Sequence, residues 1–184
     1  GSLRVAGYTI GIDVGTTGTK TVLFDAERGI VAQASRESAL HSPHPGWAEA
    51  DPAQWLENVT GSIRELLAET SVAAADIVAV STSGMVPAVI PVDQEGRPLR
   101  RAILQNDARA NDEIGVLAER LSSLDLVALT GSALTQQSVA PTLACLARHE
   151  PDVLARTAAV VGSYDWILMA LGAPAHVEQN WALE

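Results

Sequence analysis

The chain has one cysteine, Cys145, among 184 residues, so no internal disulfide can form. Cys145 lies within an apolar helical pattern and reads as core packing. Basic residues are few: 12 Lys and Arg stand against 22 Asp and Glu, for a net charge of −10. That balance argues against a nucleic-acid backbone or an anionic membrane surface as the main partner. It leaves a nucleotide possible, because backbone N–H groups can hold phosphate inside an acidic protein. No stretch approaches the roughly 20 apolar residues of a membrane span. No signal peptide precedes the first strand pattern, so the cytoplasm is the expected location. There is no repeat, no low-complexity run and no internal linker. There is no initiator Met either, and Gly1-Ser2 reads as the remnant of a cleaved tag, with residues 1–7 as lead-in.

What is present suits a layered α/β protein: 47% hydrophobic residues and 14 glycines in a length that fits one domain. Tyr8 to Val14 alternates, with Tyr8, Ile10, Ile12 and Val14 on one face and Thr9, Gly11 and Asp13 on the other. Lys20 to Asp25 and Ile30 to Ser35 continue as strands after short turns. Three strands so closely joined predict an antiparallel meander. A loop over Ser42 to Asp51 leads to a helix starting at Pro52, with Trp55, Val59, Ile63, Leu66 and Leu67 on one stripe. Strands are predicted over Ile77 to Ser81, Val86 to Val92 and Ala158 to Gly162. Helices are predicted over Ala110 to Leu121, Pro141 to His149 and Tyr164 to Leu171.

The chemistry-bearing segment is Asp13-Val14-Gly15-Thr16-Thr17-Gly18-Thr19-Lys20. A carboxylate at the end of a buried strand costs free energy unless it is paired or functional. Gly15 and Gly18 permit a tight turn and close approach of a ligand. Thr16 and Thr17 add hydroxyls, the turn offers amide N–H groups, and Lys20 adds positive charge. Together these groups suit a metal-bound phosphate. Two common phosphate motifs are excluded. The P-loop needs adjacent Gly-Lys, and here Thr19 intervenes; the dinucleotide fingerprint needs a helix after the glycines, and here a strand follows. An ordinary hairpin with a capping Asp is the bland alternative.

The turn resembles the first phosphate loop of the actin–hexokinase–Hsp70 superfamily. Three further segments sharpen the resemblance: Pro45-Gly46-Trp47-Ala48-Glu49-Ala50-Asp51-Pro52 followed by Trp55, Gly96 to Arg109 around Asn106-Asp107-Ala108-Arg109, and Ser138 to Ile167. In this order they resemble the FGGY carbohydrate kinases, and among these the xylulokinases. The resemblance implies a ribonuclease-H-like α/β fold, with a mixed sheet that begins as a three-stranded antiparallel meander flanked by helices. It makes residues 8–184 the N-terminal, sugar-side domain and places an ATP-side domain and the catalytic general base beyond Glu184. No catalytic residue is therefore expected in this chain, which is expected to fold without catalysing.

The resemblance further implies ATP and Mg2+ as cofactors. Asp13 would face the metal through water, Gly15, Thr16, Thr17 and Gly18 would lie near the γ-phosphate, and Lys20 would steer charge. It implies a small ketose, sugar acid or polyol as substrate, no nucleic-acid or membrane partner, and a homo-oligomeric full-length enzyme. The sugar side is assigned to Met85, Val86, Pro87, Gln105, Asn106 and Asp107. Here the chain departs from its relatives' pattern. Val86 and Pro87 carry no side-chain donor or acceptor where relatives carry polar residues, and Gln105 replaces a common Trp. These changes imply a rearranged pocket and a substrate other than xylulose. A non-catalytic sugar-binding or regulatory module on the same fold is the alternative. Asp107 and Arg109 could bind substrate or pair with each other. Trp47 could wall the sugar site or pack its loop on the helix carrying Trp55. Glu49 reads as a loop or cap residue, Asp165 as a helix cap, and His41, His44, His149 and His176 show no metal-ligand spacing.

Overall fold

The computed structural model describes residues 7–183; Gly1-Ser2 and most of the lead-in segment lie outside the described residues. The chain divides into two compact units. One comprises residues up to Ala39 together with Ala53–Gly84; the other comprises Leu40–Pro52 together with residues from Met85 onward.

The first unit is built on a four-stranded sheet in the order β3-β2-β1-β5, formed by β1 (Tyr8–Val14), β2 (Gly18–Asp25), β3 (Gly29–Glu37) and β5 (Ile77–Gly84). β1 pairs antiparallel with β2, and β2 antiparallel with β3, so the meander forms as the short turns require. β5 returns parallel to β1 after the long crossover through helix α1 (Pro52–Thr70), which makes the sheet mixed. The strand alternation holds: Ile10, Ile12 and Val14 are buried, whereas Asp13 on the opposite face is exposed. Leu23 and the α1 stripe of Trp55, Val59 and Leu66 are fully buried as well. α1 lies close along β3. Asn58 donates to the Glu37 carbonyl at 3.0 Å, Arg36 pairs with Glu65 at 3.3 Å, and a side chain at Gly61 would run into the Arg36 guanidinium.

β5 runs three residues past the predicted Ser81, and its apolar residues are not buried. Val78 is 57% exposed and Val80 38%. β5 is an edge strand of the sheet and, among the described residues, has β1 as its one neighbour.

The second unit contains two short ribbons. β4 (Glu49–Ala50) pairs with β7 (Ala102–Ile103), and β6 (Ile90–Val92) with β8 (Ala159–Val161), both antiparallel. The strand expected from Val86 is confined to Ile90–Val92; Pro91 is tolerated within it, and its carbonyl accepts from Leu99 N–H at 2.9 Å. Six helices accompany these ribbons: α2 (Asn111–Arg120), α3 (Leu126–Thr130), α4 (Val139–His149), α5 (Pro151–Arg156), α6 (Ser163–Ala170) and α7 (Gln179–Leu183). Val89, Ile103, Val139, Leu146 and Trp181 form the core, and the Trp181 indole N–H donates to the Ala88 carbonyl at 3.0 Å. Asp165 does not cap α6. It is buried, accepts from the Glu178 amide at 2.8 Å and lies 3.3 Å from His176, which ties the segment before α7 back to α6. No described helix is long and apolar enough to cross a membrane.

Candidate active site

Asp13 projects from the C-terminal part of β1, from the face the core does not use. Its cross-strand neighbours are Lys20 on β2 and Ser83 on β5. Ser83 Oγ donates to Asp13 Oδ1 at 2.9 Å, which orients the carboxylate and leaves its second oxygen directed elsewhere. Both Asp13 and Lys20 are exposed, so the carboxylate is not the buried charge that the strand pattern suggests. Open faces of both neighbouring strands explain this: Gly11, Asp13, Lys20, Val22, Ser81 and Ser83 line a hollow of about 220 Å3 on that side of the sheet.

The Gly15–Gly18 turn connects this carboxylate to β2. Gly15 N–H donates to the Gly18 carbonyl at 2.9 Å, so that amide is spent inside the turn. Thr16 is half-buried and Thr17 exposed at its tip. The reason for glycine at position 18 is local. Its φ is not positive, but an added Cβ would stand 2.5 Å from the Arg36 carbonyl oxygen on β3. At position 15 a Cβ would meet the Gly18 carbonyl oxygen at 3.1 Å. Both glycines thus allow backbone to approach backbone, a requirement that exists before any ligand arrives. Beside the turn, Thr17, Lys20, Ser35, Arg36 and Glu37 border a larger hollow of about 430 Å3.

The expected sugar-side residues all lie in the second unit, but they separate into two groups. Met85 and Pro87 are buried, and Val86 packs against the Val89–Ile103–Leu146 cluster; the Val86-Pro87 peptide is cis. These side chains face the interior, Met85 and Pro87 fully and Val86 in part. Their lack of polar atoms is what a core position requires. Gln105 and Asn106 instead form the tip of a turn closed by Asp107 N–H to the Leu104 carbonyl at 3.0 Å. Gln105 is half-buried there and Asn106 exposed.

Asp107 and Arg109 pair with each other. Arg109 Nε and its own amide reach Asp107 Oδ1 at 2.8 and 2.9 Å, and Nη2 reaches Oδ2 at 2.8 Å. Asp107 Oδ2 also accepts from Ala48 N–H at 2.6 Å. Glu49 takes Arg109 Nη2 at 2.8 Å and also accepts from Arg100, so it is the hub of a buried ionic network and not a cap. The Arg109 guanidinium lies 3.8 Å from the Trp47 ring centre, and Trp47 meets the His44 ring edge-on. Burial by itself lowers the Arg109 pKa. The hydrogen bonds and charges of Asp107 and Glu49 outweigh that, and hold the guanidinium above its ordinary value. The network ties the Pro45–Pro52 loop to the Gly96–Arg109 segment. Sequence spacing shows the two motifs but not that Glu49, Arg100 and Arg109 join them.

Known proteins are similar to this chain along nearly its whole length. Residues 8–180 match the FGGY family of carbohydrate kinases, N-terminal domain. The xylulose kinase of Bacillus subtilis is 28% identical over 173 residues, which is 94% of this chain and 34% of that protein. The glycerol kinase of Brucella ovis is 31% identical over 94% of this chain and 36% of its own length. The crystal structure of xylulose kinase from Rhodospirillum rubrum superposes with a TM-score of 0.88 at 43% identity, over 96% of this chain and 36% of that one. The chain thus spans about a third of the length of the relatives it matches. With the motif order, the mixed sheet and 173 matched residues in agreement, the chain belongs to the FGGY family of carbohydrate kinases, as its N-terminal domain.

Proposed function

We propose that this chain is the sugar-side part of an enzyme that transfers the γ-phosphate of ATP to a hydroxyl of a small ketose, sugar acid or polyol. The observation that carries the proposal is the Asp13 carboxylate. It is exposed at the end of β1, oriented by Ser83 Oγ and set across the ladder from Lys20, the only lysine of the chain. Relatives named xylulose kinase and glycerol kinase support the reaction class.

The donor set fits Mg2+. One carboxylate with nearby hydroxyl oxygens suits a hard cation that keeps several waters and shares its shell with substrate phosphates. When bound, the ion neutralises charge on the transferring phosphoryl group. Asp13 would hold it through water, Ser83 would fix the carboxylate in place, and Lys20 would add positive potential on the same face. Thr16, Thr17 and the turn would border the phosphate. Such positioning and charge neutralisation account for most of the catalysis in phosphoryl transfer. On the sugar side, Asn106 and Gln105 offer polar atoms, and Asp107 and Arg109 hold their turn rigid. The proton-accepting carboxylate is assigned to the part of the enzyme beyond Glu184.

The test uses the intact enzyme and a panel of ketoses, sugar acids and polyols, with ADP release as readout. Turnover with one of these classes is expected. Asp13→Asn should lower kcat by at least about 10²-fold, the scale of losing one well-placed electrostatic group. Near-normal turnover in the variant would remove Asp13 from the site. Failure of the unaltered enzyme on the whole panel would favour a sugar-binding module without catalysis.

A further inference from the structure

A second cluster adjoins the Arg109 backbone. Glu113 on α2 and Cys145 and His149 on α4 bring a carboxylate oxygen, a thiol sulfur and a ring nitrogen within 4.8 Å of one another. Cys145 and His149 are separated by four positions and therefore share one face of α4. The chain pattern Cys-x-x-x-His carries this signal, which a search for spacing among histidines alone overlooks. Glu113 is 7% exposed, and its charge partner is the Arg148 guanidinium, 3.7 Å away on a side chain that is 68% exposed. A carboxylate buried with so loose a partner is costly, and a cation beside it would offset that cost.

We propose that Glu113, Cys145 and His149 form a binding site for a divalent transition metal, with Zn2+ as the best match. Thiolate, imidazole and carboxylate are the three ligand types Zn2+ accepts, at bond lengths of about 2.0–2.3 Å. Mg2+ and Ca2+ are disfavoured, because sulfur and nitrogen replace the oxygen shell they require. Rotation of the exposed His149 ring draws the three atoms onto one ion, and water completes a tetrahedron. On binding, the Cys145 S–H bond is exchanged for an S–metal bond, and the proton goes to solvent.

The site links α2 to α4 directly beneath the ionic network. The Cys145 thiol also donates to the Arg109 carbonyl at 3.7 Å, so an ion on the sulfur abuts the backbone of the Asp107–Arg109 turn. Metal occupancy would thereby stiffen the segment that presents Gln105 and Asn106. The proposal concerns metal binding and stands whether or not the kinase assignment holds.

The experiment uses protein freed of metal with a chelator and then titrated with Co2+. Because Cys145 is the only cysteine, a thiolate-to-cobalt charge-transfer band can arise only there. The band is expected to saturate at one Co2+ per chain, to disappear when Zn2+ is added, and to be absent from Cys145→Ser. His149→Ala alters an exposed position and leaves the core intact. It should weaken Co2+ binding at least about tenfold, the lower range for losing even a supporting group at a metal site. Glu113→Gln, which keeps the shape of the side chain, should do the same. Absence of the band in the unaltered protein overturns the proposal. So does Co2+ uptake without a band, which would place the ion on His41, His44 or His176. So does an unchanged affinity in both His149→Ala and Glu113→Gln.

Discussion

Replacing Arg109 by Met tests whether the Glu49–Arg100–Arg109–Asp107 network is structural in the strong sense. The side chains of Arg109 and Asp107 are each 2% exposed, and that of Glu49 is 7% exposed. Met keeps most of the volume of the Arg stem but removes three hydrogen bonds made by the guanidinium nitrogens. Glu49 retains Arg100, whereas Asp107 retains only backbone donors, the amides of Ala48 and residue 109. A buried carboxylate stripped of its cation costs about 3–5 kcal/mol.

Arg97 supplies the contrast. It also makes two ion pairs, with Asp93 at 2.8 Å and Glu95 at 3.0 Å, yet its side chain is 72% exposed. Exposed pairs contribute about 0–1 kcal/mol, so Arg97→Met should be close to neutral. Urea unfolding followed by tryptophan fluorescence compares the two variants. With a slope of about 1–3 kcal/mol per molar urea, Arg109→Met should lower the midpoint by at least about 1 M. Equal midpoints for Arg97→Met and Arg109→Met would refute the reasoning, because the buried cation, with one more hydrogen bond and its Trp47 contact, should cost far more to remove than the exposed one.

Two further outcomes follow from the geometry. Gly18→Ala should destabilise the protein by about 1–3 kcal/mol in the same urea assay, because the new methyl meets the Arg36 carbonyl and backbone must move; an unchanged midpoint would mean that β3 yields freely. Asp165 is pushed above the ordinary carboxylate range by burial first and the Glu178 charge, with the Glu178 amide and His176 opposing. The folded state therefore holds that proton more tightly than the unfolded state. The stability of the unaltered protein relative to Asp165→Asn should fall as pH rises from about 4 through the folded value. Paired melting temperatures across that range decide the matter, and a flat or rising difference would contradict the assignment.

Local patterns carried the first unit well. The Tyr8–Val14 alternation, the short turns and the Trp55–Leu66 stripe are periodic signals, and each corresponds to an observed element. Ile77 to Val80 shows where that logic stops. The run is as apolar as any buried strand, but burial depends on what lies beside and above it, and β5 is an outer strand. In the second unit, α3, α5 and α7 are five or six residues long and β4 and β7 only two, too short for a period to register. α3 is started by a local cap, Asp125 accepting from Ala128 N–H, whereas the segment leading into α7 is held by a tertiary contact, the Glu178 amide bond to Asp165.

The site divides along the same line. Asp13, Lys20 and the turn between them are neighbours in sequence, and a hairpin must bring them together, so their proximity was legible. What the sequence does not contain is the identity of partners 60 or 70 residues apart. Nothing at Glu49 announces Arg109, and nothing at Asp13 announces Ser83. The glycines illustrate the cost of reading function directly from a motif. Gly18 looks like a ligand-approach residue, yet the β3 backbone demands it first. The same caution applies to Val86, which packs against Val89 and its neighbours, and to Pro87, which is buried. Of the residues around the Asn106-Asp107-Ala108-Arg109 motif, Asn106 is exposed at the tip of the Leu104–Asp107 turn. The turn is anchored from within, because the next residue, Asp107, is buried and held by Ala48 N–H and the Arg109 guanidinium.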